Sequence, residues 1–396
     1  MAPKIAIIGA GPVGLTLASL LRASNATLDL VIFEKDASAA DRSAKGGTLD
    51  LHDDTGLAAL RAADLWEPFQ KYARYEGQDM IFADKKANVV FEDLHNEEVD
   101  RDAARARPEI DRGRLTEILF KSVPVEWIRW GSSLKSVSSD GIMNFEHGTE
   151  GPFDLIVGAD GAWSKVRPVL TDVQPSYTGI SGFELHILSP AQDHPEVSKM
   201  VGRGSYFAYS DCKALQAQRQ GNGSIMVYGW QTGAEDYPKN LWEEVSHDGE
   251  KLKTILLETL FHDWAPEMQA WIRASSPDTV RPWPLYELPI GISWKHEKGL
   301  TLIGDAAHVM SPFAGEGVNS GMKDALELAN AITESIKSGS DLDAAVEKFE
   351  KAMFRRVKGV MEWTMMLKTY QFREDAPGGL MEKMKEIMGA EGPPEA

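Results

Sequence analysis

The first thirty-odd residues alternate between apolar runs and glycine breaks in an order that predicts strand, turn, helix and strand. Lys4 to Ile8 is a short β-branched run, the pattern of a strand buried on both faces of a parallel sheet. A helix-forming run follows to about Ala23, and a second apolar run, Leu28 to Phe33, ends at Glu34. Ile5 to Leu21 is apolar enough to raise a secretory or membrane segment, but Gly9, Gly11, Pro12 and Gly14 interrupt it. Further along, Leu155 to Gly158 and Leu300 to Ile303 read as buried strands, the second followed by a helix through about Ile336. Between them, Ser205 to Tyr209 and Ser224 to Trp230 alternate as strands with one buried face. From Leu342 to about Phe372, Val346, Phe349, Met353, Val357, Val360, Met361 and Thr364 recur at helical spacing and predict one long helix. Met361, Met365 and Met366 read as packing residues of that helix. Pro377-Gly378-Gly379 ends the pattern, and a short helix precedes a Gly392-Pro393-Pro394 tail expected to be disordered.

Composition narrows the class. The chain has 396 residues, enough for two to three domains at roughly 150 residues each. Its formal net charge of −18 opposes phosphate backbones and argues against nucleic-acid binding, while leaving room for a small anionic cofactor in a local pocket. With Cys212 alone, no internal disulfide or multi-thiolate metal site can form, and no His spacing suggests a metal. No other segment reaches the roughly 18 apolar residues of a membrane span. The expectation is a soluble, cytoplasmic, monomeric protein.

The chemistry lies in the glycine breaks. Gly9-Ala10-Gly11-Pro12-Val13-Gly14 is a GxGxxG between a strand and a helix, and Glu34 stands 20 residues beyond Gly14 at the end of the next strand. Gly9 allows the tight turn, Gly11 lets backbone approach a pyrophosphate, and Gly14 lets helix and strand close up. The helix N-terminus offers N–H groups to the anion, and Glu34 can accept ribose hydroxyls. This set predicts a dinucleotide site, with NAD and FAD both open. A second element, Gly304-Asp305-Ala306-Ala307-His308 with Pro312, Phe313, Gly315, Gly317, Asn319 and Gly321, places an Asp after a strand, where it can hold polyol hydroxyls. Its glycines bring a helix N-terminus near a polar ring edge. A third turn, Asp160-Gly161, follows Leu155 to Gly158 and precedes Lys165 and Arg167.

In their order and spacing these three elements resemble the group A flavin monooxygenases, the para-hydroxybenzoate hydroxylase type, over nearly the whole chain. Gly46-Gly47-Thr48-Leu49-Asp50-Leu51-His52 and the stretch Gly304 to Gly321 are most similar to its tetracycline-inactivating members. The resemblance implies an α/β fold: a Rossmann-like FAD-binding domain with an inserted mixed β-sheet substrate domain and a long C-terminal bridging helix. The expected division gives residues 1–74, 99–174 and 290–338 to the FAD domain and 75–98 and 175–289 to the substrate domain. Residues 339–374 form the bridging helix, and 375–396 a short helix and flexible tail.

By the same resemblance the cofactor is FAD, with NAD(P)H, NADPH favoured, as a transient co-substrate. Glu34 and Lys35 would lie at the adenosine end, and Asp50 with Gly46-Gly47 on the isoalloxazine side. Arg112 would face the ribityl–pyrophosphate region, Asp305 the ribityl or pyrophosphate, and Gly315, Gly317 and Asn319 the ring edge. Gly9, Gly11, Gly14 and Asp160 complete the cofactor set. The family's second-strand acid is usually followed by Arg, and here it is Lys35; the basic residue before the Gly-Gly turn is matched by Arg42 or Lys45. The implied reaction uses O2 and a flavin C4a-hydroperoxide to hydroxylate a polycyclic phenolic or enolic substrate, tetracycline-type polyketides included. No Ser/His/Asp set or GxSxG is present, so no protein catalytic base is assigned. For the substrate, Glu184, Met226, Tyr228 and Phe313 are candidates. An alignment by eye sets Glu184, Ser205 and Met226 near the polar positions of tetracycline-acting members, with no matching Arg or His. A reductase of the same fold and a non-catalytic flavoprotein binding module remain as alternatives; a halogenase lacks its WxWxIP signature here.

Overall fold

A computed structural model describes residues 2–39, 46–94, 106–138 and 140–390. Arg42, Lys45 and the Gly392-Pro393-Pro394 tail lie outside the described residues. The chain divides into two compact units, each with its own apolar core.

The first unit gathers Met1–Ala73, Ile110–Ser176 and Tyr286–Thr364. Its main sheet runs in the order Leu300–Leu302, Leu155–Gly158, Lys4–Ile8, Asp29–Phe33 and Ile128–Arg129, and every pairing is parallel. Ile5, Ala6 and Ile7 have no solvent exposure, as strands sandwiched on both faces require. The apolar stretch Ile5 to Leu21 is therefore a strand and the helix Pro12–Ala23. Among the described residues no helix is long and apolar enough to cross a membrane. A three-stranded antiparallel sheet, Leu134–Val137, Met143–Phe145 and Gly148–Glu150, and a two-stranded one, Thr48–Asp50 with Glu109–Asp111, complete the strands of this part. The helix Leu342–Gln371 sends Val346, Phe349, Met353, Val357 and Met361 into this core, following its 3.6-residue period.

The second unit gathers Arg74–Glu109, Tyr177–Leu285 and Met365–Ala396. Its seven-stranded sheet has the order Ser276–Glu287, Ser176–Ile187, Ile225–Thr232, Lys213–Arg219, Ser205–Ser210, Met80–Ala83 and Val89–Asp93. The sheet is mixed: Met80–Ala83 runs parallel to Ser205–Ser210, while the meander through Thr232 is antiparallel. One face carries Phe183, Leu185, Ile187, Tyr206, Ala208, Leu215 and Val227 into a core shared with the helices Pro195–Val201, Gly249–Glu258 and Pro266–Ala274. The expectation of one buried face per strand needs correction. Ser205–Ser210 is buried at every position except Phe207, because aromatic and amide side chains pack on the second face too.

Candidate functional site

The glycine loop is built for close approach. Gly9 has φ +103°, and a Cβ there would lie 2.5 Å from the Ala159 carbonyl oxygen. A Cβ on Gly14 would lie 2.1 Å from the Gly9 oxygen, so this position tolerates no side chain without moving the loop. Gly11 caps the helix Pro12–Ala23 with no side-chain hydrogen bond, and no acid sits in its first turn. That terminus presents N–H groups and positive potential. Glu34 is 1% exposed; its Oε2 accepts from Ala10 N at 2.6 Å and its Oε1 from Asp36 N at 3.0 Å. The carboxylate is thus fixed against the glycine loop by backbone N–H groups, with Lys35 exposed beside it.

The second glycine element meets the first. Gly304, φ +62°, lies against Val13, and a Cβ on Gly321 would lie 2.5 Å from Val13 Cγ2 and 3.2 Å from Gly304 Cα. Asp305 is exposed and opens a one-turn helix whose cap is Gly304. Gly315, φ +71°, caps the helix Glu316–Ser338, again with no side-chain cap bond, and Gly317 lies in its first turn. A Cβ on Gly315 would lie 3.0 Å from Asp50 Oδ1. Asn319, fully buried, ties this helix to the Asp50 segment: its Nδ2 donates to Asp50 O at 2.9 Å, and its Oδ1 accepts from His52 N at 2.9 Å and Thr55 Oγ1 at 3.2 Å. His52 Nε2 lies 3.0 Å from Asp50 Oδ2, and its Nδ1 lies 3.7 Å from Glu316 Oε1. Arg112, first residue of the helix Arg112–Ser122, donates its N–H to Gly47 O at 3.1 Å, and its side chain covers Gly46 so closely that a Cβ there would stand 2.7 Å from Cδ.

Asp160 closes the set. Its Oδ2 accepts from Lys165 N at 2.7 Å, while Oδ1 is buried with no hydrogen-bond partner among the described residues. Burial pushes its carboxyl up, against hydrogen bonds from Ser164 and Lys165 that pull it down. Arg167, 0% exposed, donates to Ala306 O at 3.0 Å and Ala162 O at 2.7 Å, locking the 160s turn to the Gly304 turn. Burial lowers its guanidinium, with Asp160 opposing. Sequence reading noticed Arg167 only as half of a basic pair. The residues fit a dinucleotide: two helix N-termini without side-chain caps, glycines whose missing side chains leave the loops closely apposed, and a buried carboxylate oxygen left without a donor.

The second unit places Glu184, Met226 and Tyr228 on the sheet face opposite its helix-packed core. Strand register aligns Phe82, Phe207, Gln216, Tyr228 and Glu184 in one row across five strands. Met226 and His186 share the neighbouring row with Ser205 and Gln218. Tyr228 stacks on Trp230 at 5.9 Å, Trp283 stands 5.9 Å from Trp230, and Arg281 lies over Trp283 at 4.6 Å and 3.8 Å from Glu184 Oε1. Arg281 and His186 stand on this face, beside Glu184 and Met226 respectively. The signal for Arg281 was its place two residues before Trp283 on a strand, a spacing that puts both on one side. Phe313 is half-buried in the turn Pro312–Ala314 of the first unit.

Comparison with known proteins agrees with this arrangement. The sequence profile described as "FAD binding domain" matches residues 3–364. Monooxygenase penA of Penicillium thymicola is 31% identical, over 93% of this chain and 95% of its own. Monooxygenase asqM of Emericella nidulans is 28% identical, over 94% and 96%. Among solved structures, Klebsiella pneumoniae HpxO complexed with FAD and uric acid superposes with a TM-score of 0.76 at 18% identity, over 98% of this chain and 93% of that one. The tetracycline destructase Tet(51) gives 0.67 at 18% identity, over 98% and 96%. At such identities the structural likeness establishes the fold.

Proposed function

Starting from the fact that the chain belongs to the FAD-binding-domain family and is an FAD-dependent monooxygenase, we propose that it takes electrons from NAD(P)H, NADPH by preference, and hydroxylates a planar, polycyclic phenolic or enolic substrate. The aromatic row on the second unit's sheet carries this reading. Phe82, Phe207 and Tyr228, with Trp230 and Trp283 beside them, offer flat apolar area, and Glu184 and Arg281 offer one acceptor and one donor for ring hydroxyls or enolic oxygens. Met226 extends the apolar area of this face. A tetracycline-type polyketide belongs to this class.

Glu34 accepts ribose hydroxyls, with Lys35 at the adenosine end, and the loop Gly9, Gly11 and Gly14 takes the pyrophosphate; Arg42 or Lys45 stands as the basic residue before the Gly-Gly turn. Arg112 and Asp160 serve the ribityl–pyrophosphate stretch, and Asp305 holds ribityl hydroxyls. Asp50, Gly315, Gly317 and Asn319 shape the ring-edge cradle. FAD supplies the oxygen-activating redox chemistry when bound. The chain's own residues bind, orient and exclude water. In balance, NADPH gives two electrons, one atom of O2 enters the substrate and the other leaves as water.

The purified protein should carry flavin absorbance, oxidise NADPH faster when a phenolic polyketide is added, take up O2, and yield product heavier by one oxygen. Asp305→Ala should lower retained flavin. Flavin without substrate-stimulated NADPH oxidation across a broad panel would refute the NADPH and polycyclic-substrate reading, and full flavin occupancy in the Asp305 variant would refute that residue's role.

A further inference from the structure

The Gly304 turn, which carries Asp305, closes on its own backbone through Ala307 N and His308 N to Gly304 O and is also held from outside. Gly304 donates its N–H to Asp324 Oδ2 at 2.8 Å, and His308 Nε2 lies 2.6 Å from the same oxygen. Asp324 is fully buried two turns into the helix Glu316–Ser338. Its other oxygen, Oδ1, accepts from Arg356 Nη2 at 2.7 Å, and Arg356 also reaches Glu327 Oε2 at 3.1 Å. Arg356 comes from a separate element, the helix Leu342–Gln371. A carboxylate without exposure needs a partner of opposite charge and a full set of donors. Burial alone would raise the Asp324 carboxyl, but His308 and Arg356 outweigh it and hold it low. The charged form, which grips both ends of the turn, is held by His308 first and by the Arg356 guanidinium beside it.

We propose that Arg356 and Asp324 are positioning residues for the flavin, transmitting the placement of the Leu342–Gln371 helix to the Gly304–His308 turn and so to Asp305. The inference rests on the FAD reading of that turn. Among the described residues neither side chain hydrogen-bonds to the exposed Asp305 carboxylate; Asp324 acts through the turn and Arg356 through Asp324. Removing the Arg356 charge leaves Asp324 with Gly304 N–H and His308 as partners and its Oδ1 without the guanidinium, so the anchor that holds the turn loses its link to the Leu342–Gln371 helix.

The test is an FAD titration of the apoprotein with photometric determination of the bound-flavin spectrum and reduction potential, using wild type, Arg356→Gln, Arg356→Lys and Val346→Ala. Val346 is a buried core residue of the same helix, ten residues before Arg356, so its variant controls for loss of stability. Arg356→Gln should weaken FAD binding about ten- to a hundredfold and shift the flavin spectrum and potential, and Arg356→Lys should restore part of each. Val346→Ala should lower stability without moving spectrum or potential. Wild-type affinity and potential in Arg356→Gln overturn the inference, and so does an equal shift in Val346→Ala. A wild-type chain that binds no FAD overturns the FAD reading itself, with this inference as its consequence.

Discussion

Gly14 and Gly359 show how differently one residue type can be constrained. A Cβ at Gly14 would stand 2.1 Å from a backbone oxygen, whereas one at Gly359, exposed in the helix Leu342–Gln371, meets nothing within 4 Å. Gly14→Ala should therefore cost about 1–3 kcal/mol and empty the protein of flavin. Gly359→Ala should gain about 0.5–1 kcal/mol through helix propensity. Urea unfolding with flavin absorbance checks both, and a Gly14→Ala protein with full flavin would mean the loop yields more than its geometry allows. The GxGxxG spacing made the tight approach at Gly9 and Gly14 legible, and with it the place of Glu34 beside the loop, because local chain direction brings them together. Asp324 and Arg356 were not legible, since a pair 32 residues apart on two helices meets only through packing. The same holds for Glu184 and Arg281, which neighbouring strands bring together from distant parts of the sequence.

At the scale of elements, periodicity did more. The helix Leu342–Gln371 follows its apolar spacing almost residue for residue, and the parallel strands follow their β-branched runs. Strand exposure was less legible, because period-2 alternation shows one apolar face and says nothing of what covers the other. The joint between the Leu342–Gln371 helix and the strand Leu300–Leu302 holds a buried acid, Glu350. It accepts from Trp294 Nε1 at 3.0 Å, Thr301 Oγ1 at 2.8 Å and His296 Nδ1 at 2.8 Å, and Asp343 Oδ2 lies 3.3 Å from His296 Nε2. Burial opposes the charged imidazole, but Glu350 and Asp343 prevail and raise His296 above 6.5. A raised base contributes stability that is complete below its unfolded value and is lost as pH climbs through the folded one. The urea midpoint of the wild type should thus fall between about pH 6 and pH 9 more than that of His296→Asn. Parallel pH profiles for the two proteins would show that this contact adds nothing.

For the whole molecule, the residues assigned to FAD among those described all belong to the first unit, and each unit has its own core. FAD at about 100 times its Kd should add about 2.7 kcal/mol to the unit that binds it. Calorimetry should show the transition of the first unit moving up with FAD. A shift of equal size in every transition would mean the two units unfold as one. The motifs were legible at this scale as a set, in their order along the chain, while the make-up of the second unit's sheet face was not, because its side chains are assembled from five strands. The first unit's outer strand, Leu300–Leu302, and the Glu316–Ser338 helix are also among the last of its parts to be synthesised. At about 5–20 residues per second, a nascent chain carries its finished glycine loop for roughly 15–60 s before Gly304 emerges. Cofactor capture is in this sense a late event, and a chain released early holds a nucleotide loop with no second wall to close upon it.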